Sequence, residues 1–146
     1  MRIFARFIAL PIQDVTFLIL SIALLTFSKI GLRLFSLRTL LFFSERVFLR
    51  FGGPVPKTQQ NTARVAWAVS TVARRVPALA NCLAMALAGK YLLAMLGCPS
   101  VLEIGVTKDC AQFKAHAWLK TDGKILIGSA ERSEYSALPC FDGENK

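Results

Sequence analysis

The sequence predicts an α+β protein: N-terminal helices, then a cysteine-bearing helix packed on a small antiparallel sheet. Three observations carry this. Up to about residue 96 the chain shows apolar runs, apolar residues at helical spacing, or strong helix formers, broken at Gly52-Gly53-Pro54 and at Pro77. From Val101 the pattern changes to branched runs and strict alternation. Thr121-Asp122-Gly123-Lys124 then joins two such runs as a hairpin turn. A length of 146 residues suits one domain with a real core and little more.

The front of the chain is apolar and basic. Residues 15–28 read VTFLILSIALLTFS, 14 uncharged residues between Asp14 and Lys29. A helix crossing a bilayer needs about 20, so a buried or interfacial helix is expected, and the lack of a clear amphipathic period favours burial on several sides. Next, Arg33, Arg38, Arg46 and Arg50 punctuate Leu34, Phe35, Leu37, Leu40, Leu41, Phe42, Phe43, Val47, Phe48 and Leu49. Such arginines lay their methylene stems over apolar surface and keep the charge wet. The pattern fits packing within the protein, an anionic membrane surface, or a groove on a partner. Residues 1–51 are therefore expected to form a hydrophobic, basic helical segment of the same domain, 52–61 a loop, and 62–146 the core. A helix is expected from Thr62 to Arg75, stopped by Pro77.

Asn81 is an N-cap candidate that places Cys82 in the first turn of a helix running to about Leu96. Gly97 suits a left-handed cap and Pro99 blocks continuation. Gly89 alone weakens the helix interior. First-turn N–H groups lack intrahelical acceptors, and the peptide dipoles favour negative charge there. A sulfur at this position is placed to act as a nucleophile, and the same N–H groups are placed to receive an oxyanion. The plainer alternative is that Cys82 is a small buried hydrophobe.

Two strands follow, Val101–Val106 and Gln112–Lys120, with Ile125–Ile127 returning antiparallel after the turn. The second holds the chain's one histidine, His116, 34 residues after Cys82. A cysteine and a histidine close enough to share a proton are the minimum for thiolate catalysis, and such partners are adjacent in space rather than in sequence. Ala115 and Ala117 leave room for the Cys82 helix to pack closely. Trp118 shares a strand face with His116 and reads as core or as a shield for the imidazole.

Other chemistry is poorly supported. The four cysteines all lie at or after Cys82 and read as free thiols of a reducing interior, which points to a cytoplasmic protein. They form no C-x₂₋₄-C pair, so no metal site is expected, and no cofactor-binding motif is evident. Residues 1–80 carry 11 Lys or Arg against Asp14 and Glu45, whereas residues 81–146 are balanced. The basic half is too apolar for a nucleic-acid groove, so no nucleic acid is expected as partner. It leaves peripheral membrane association open.

PALANCLAMALAGKYLLAMLG at 77–97, VLEIGV at 101–106 and FKAHAWLKTDGKILIG at 113–128 together resemble the core of lasso-peptide biosynthesis leader peptidases, the B2 proteins, within the transglutaminase-like cysteine-protease superfamily. IGLRLFSLRTLLFF at 30–43 is similar to that family's N-terminal portion. The resemblance implies a papain-like core of a nucleophile-bearing helix and a sheet, with Cys82 as nucleophile and His116 as base. It implies hydrolysis of the bond joining a leader peptide to its core peptide. The implied partners are the precursor leader peptide, a leader-recognition protein and a macrolactam-forming cyclase. The family's third residue is an acid at the end of the strand after the hairpin, where this chain has Gly128-Ser129. Glu131 is the first choice for that role. Asp122, a backbone carbonyl, Ser129 or a damaged site are the alternatives. A non-catalytic peptide-binding or scaffold relative, or an acyl transferase with an amine replacing water, are the other functional readings.

Overall fold

The computed structural model describes residues 12–51, 59–109, 112–128 and 136–137, with 51, 59, 107–109, 112–114 and 136–137 described by backbone alone. Helices α1 (Ile12–Leu34), α2 (Leu37–Phe51), α3 (Gln59–Arg75) and α4 (Cys82–Met95) precede strands β1 (Val101–Asp109), β2 (Gln112–Thr121), β3 (Lys124–Ile127) and β4 (Ser136–Ala137). The sheet is antiparallel, in the order β3-β2-β1-β4. This is the expected α+β arrangement, with α4 packed on β2 and surrounded by α1, α2 and α3.

Helix α1 departs from expectation in length and in burial. It runs 23 residues, longer than the 14-residue uncharged run, and includes both flanking charges. Asp14 pairs with Arg64 of α3 at 3.5 Å. Lys29 donates its ammonium to the carbonyl of Ala78. Charges satisfied by neighbouring elements do not end a helix. Nor is α1 buried on several sides: Leu18, Ser21, Leu25, Ser28 and Gly31 face inward, while Ile12, Ile19, Ile22, Phe27, Ile30 and Leu34 are exposed. Gly31 allows Leu40 of α2 to lie against the α1 backbone, since a Cβ there would stand 3.0 Å from the Leu40 methyl.

Helix α3 begins at Gln59, three residues before the expected start, and the loop expected at 52–61 otherwise falls on undescribed residues. Val65, Ala68, Val69 and Val72 form its buried face. Pro77 ends the helical path, and Pro77–Leu79 makes a single 3₁₀ turn.

Helix α4 is the centre of the core, with ten consecutive or near-consecutive residues from Ala84 to Ala94 buried. Its C-terminus closes as the left-handed glycine requires. Gly97 has φ +68°. Its N–H donates to Ala94 O, and the Cys98 N–H donates to Leu93 O at 2.8 Å, the Schellman pattern. Gly89 is explained by the sheet beneath it. A Cβ at that position would lie 2.6 Å from Ile127 Cδ1 and 2.8 Å from Leu119 Cδ2. The close approach of helix and sheet is thus made by a glycine on the helix. Of the two β2 alanines expected to leave room for it, Ala117 is buried in the core and Ala115 is exposed.

The hairpin forms as the sequence predicts. Asp122 and Gly123 are its two central residues, at φ +49° and +73°, the mirror-image turn that matches strand twist.

Candidate functional site

The chain path brings Cys82 and His116 to the same end of the helix–sheet layer. The C-terminus of α4 leads through Pro99 and Ser100 into β1, whose first residue, Val101, pairs with Lys120. Thr121 Oγ1 donates to Pro99 O at 3.0 Å and fastens this end. The opposite end of α4, with Cys82, therefore lies toward the His116 end of β2. The distances agree. Seven helical residues from Gly89 back to Cys82 span about 10.5 Å; three strand residues from Leu119 back to His116 span about 10 Å.

Cys82 opens α4, and Asn81 caps it. Asn81 is extended, and its Oδ1 accepts from the Leu83 N–H at 3.0 Å. The same oxygen is 3.7 Å from the Cys82 sulfur, within reach of the thiol proton. The Met85 N–H donates to the Asn81 carbonyl. The N–H groups of Cys82 and Ala84 have no acceptor within the helix. The thiol itself is half-buried at the edge of the core. Among the described residues, no hydrogen bond joins the Cys82 sulfur to His116.

His116 sits on β2, between β1 and β3, and is half-buried. Its Nε2 lies 3.2 Å from the carbonyl oxygen of Gly128, just past β3. A carbonyl only accepts, so Nε2 is the donor in this contact. Gly128 has φ +90°, and a Cβ there would stand 2.9 Å from Ala117 O and 3.2 Å from His116 Nε2. Where the resemblance places an acid, the chain brings its own backbone to the imidazole, and a side chain does not fit in this conformation.

Strand alternation sets Ala117 and Leu119 toward α4 and His116 and Trp118 on the other face. The Trp118 ring is buried and stacks with the imidazole, centroids 6.1 Å apart at 29°. Glu103, opposite Trp118 in the β1–β2 register, accepts from Trp118 Nε1 at 2.5 Å and from Lys120 Nζ at 2.6 Å. Sequence reasoning missed Glu103 as a positioning group. The signal was present: a single carboxylate in the otherwise uncharged run VLEIGV.

Of the other candidates, Asp122 is occupied by the turn and exposed. Glu131 and Ser129 lie outside the described residues, as do Cys110 and Cys140. Cys98 is buried in the wall of a 410 Å³ cavity at the opposite end of α4, also lined by Ser44, Phe48, Lys90 and Ala94. Among the described residues no group of three or more His, Cys, Asp or Glu could hold a metal ion.

No curated protein and no solved structure matches the chain. A family model of the Transglutaminase-like superfamily matches residues 27–140, from the second half of α1 to beyond β4. A capped helix that opens on a cysteine, followed by strands bearing a histidine, lies wholly within that span, and the chain belongs to the Transglutaminase-like superfamily.

Proposed function

We propose that the protein is a cysteine peptidase that removes the leader from a ribosomally made, lasso-type precursor peptide. Its superfamily typically consists of cysteine-dependent enzymes of protease or acyltransferase type. The observation that supports the proposal is a cysteine at the head of a capped helix that packs on the strand bearing the histidine, whose Nε2 meets Gly128 O.

In this reading the Nδ1 of His116 takes the Cys82 thiol proton as the sulfur attacks the scissile carbonyl. The tetrahedral oxyanion lies near the Cys82 and Ala84 N–H groups. Collapse expels the leaving amine, which takes the proton from Nδ1, and leaves a thioester on Cys82. Water, deprotonated by the same nitrogen, then releases the acid and restores the thiol. The first proton transfer requires the imidazole to reach the sulfur from the face of β2 turned away from α4, a rearrangement on which the mechanism depends. The pathway partners are the precursor leader, a leader-recognition protein and the macrolactam-forming cyclase.

The test is cleavage of precursor in the presence of the recognition protein, read by mass spectrometry. Cys82→Ala and His116→Ala should each abolish leader removal with the fold retained; wild-type cleavage by either overturns the assignment. A second reading, a non-catalytic peptide-binding scaffold, is favoured by the contact of the Cys82 sulfur with Asn81 in place of His116. It requires leader binding without cleavage by the wild-type chain. Acyl transfer would instead show as a product carrying an added primary amine.

A further inference from the structure

Helix α1 is apolar on its outward face as well as its inward one. A helix on the surface of a water-soluble domain turns its large aliphatic residues to the core and its small polar ones to solvent. Here the inward face carries Ser21, Ser28 and Gly31 beside Leu18 and Leu25, with both serine hydroxyls buried and without a hydrogen-bond partner among the described residues. The outward face carries Ile12, Thr16, Ile19, Ala23, Phe27, Ile30 and Leu34, a continuous stripe at helical spacing with no ionisable group. Ile19 and Ile30 are 61% and 52% exposed. Helices that pack in lipid show this distribution, with small residues between helices and large apolar ones outward.

Two further features agree. In lipid, polar groups must be satisfied within the segment. Thr16 and Thr26 both turn their hydroxyls back onto α1, to Ile12 O at 2.9 Å and Ile22 O at 2.8 Å. Helix α2 exposes Phe42, Phe43 and Leu49 on the same face as Arg38, Arg46 and Arg50, with the Arg46 guanidinium 5.0 Å over the Phe42 ring. Apolar side chains interleaved with long basic ones suit the headgroup boundary of an anionic bilayer. Only Glu45 opposes the arginines there, and residues 1–80 carry a net charge of +9.

By length and composition α1 could cross a membrane. Its inner face, however, is packed on α3 and α4, and Asp14 beside it is ion-paired to Arg64. These contacts fit a helix lying in the surface plane with one side submerged. We infer that the outward face of α1 seats the protein on an anionic phospholipid surface, the α2 arginines meeting lipid phosphates.

The experiment is flotation of the full chain, exchanged from detergent into vesicles of phosphatidylcholine with or without phosphatidylglycerol. The wild type should float with both, and more completely with the anionic vesicles at low salt. Ile19→Asp with Ile30→Asp should lower the bound fraction by roughly tenfold or more, since aspartate in the apolar zone is strongly disfavoured. Both isoleucines are exposed, so circular dichroism and Tm should stay unchanged. Arg38→Glu with Arg46→Glu should remove the preference for anionic vesicles. Three results would overturn the inference: wild-type protein that floats with neither vesicle; equal flotation of the aspartate variant; or a wild-type dimer in solution that the aspartate variant loses while neither protein floats. The last would assign the stripe to a second copy of the chain.

Discussion

The imidazole of His116 is held by a main-chain oxygen, Gly128 O, 3.2 Å from Nε2. A carbonyl can only accept, so this contact orients the ring through an Nε2 donor.

Gly128→Ala tests that arrangement. At φ +90° any Cβ is strained, and the nearest atoms are Ala117 O and the imidazole itself. Turnover of the precursor should fall about tenfold or more, with KM much less affected, because a displaced base loses transition-state interaction rather than peptide contact. Asp122→Asn should be nearly silent, since asparagine also tolerates the left-handed turn position. Equal rates for wild type and Gly128→Ala, or a large effect at Asp122, would contradict this assignment.

The thiol should be distinguishable by chemistry. Cys82 is half-buried at a helix N-terminus, whereas Cys98 is buried in a cavity wall with its sulfur 3.8 Å from Leu96 O. Under limiting iodoacetamide, peptide mapping should find Cys82 modified well before Cys98. Asn81→Ala should cost about 1 kcal/mol of stability through the lost cap and change the Cys82 labelling rate. Simultaneous labelling of both cysteines in folded protein would contradict the prediction.

Gly89→Ala should destabilise the protein even though alanine is the better helix former by about 1 kcal/mol. The new methyl would overlap Leu119 and Ile127, both buried beneath α4. Overpacking of this kind costs roughly 1–3 kcal/mol. The helix should also lift from the sheet, so precursor cleavage should fall along with Tm. An unchanged or raised Tm would show that the layer can yield without cost.

Tyr91 offers a pH test. Its hydroxyl donates to Leu40 O at 2.7 Å, and desolvation by burial raises the phenol from 10.0 to about 12. The folded state therefore holds this proton more tightly than the unfolded state. Its stabilising contribution is complete below pH 10 and declines as pH rises from there through about 12. Tyr91→Phe should lower stability by about 1 kcal/mol at neutral pH through the lost hydrogen bond. It should also flatten the decline measured by urea melts above pH 10. An alkaline decline of equal steepness in both proteins would assign it to other groups.

Local rules carried much of this fold. Asn81, Gly97, Pro77 and the Asp122-Gly123 turn each act through backbone geometry within a few residues, and each stands where the sequence predicts. Alternation alone placed His116 on a strand, and hairpin chemistry made that strand internal to the sheet. The strand-to-strand support of Trp118 by Glu103 joins residues 15 positions apart and depends on register, which no local pattern states.

Tertiary structure decided the rest. Asp14 and Lys29 limit the uncharged run, yet contacts with Arg64 and Ala78 absorb both charges and α1 extends past them. Gly89 looked like a flaw in a helix, and the sheet beneath makes it necessary. Glu131, the acid expected to orient His116, lies outside the described residues; the carbonyl of Gly128 beside Nε2 left no mark in the sequence, because backbone oxygens occur at every position. The sequence by itself determined which elements form, where they end, and that a cysteine heads one helix and a histidine sits in the following sheet. Only the packing of α4 across β2 decided that these two lie at one end of the layer, since that depends on the direction and depth of helix–sheet contact rather than on any local preference.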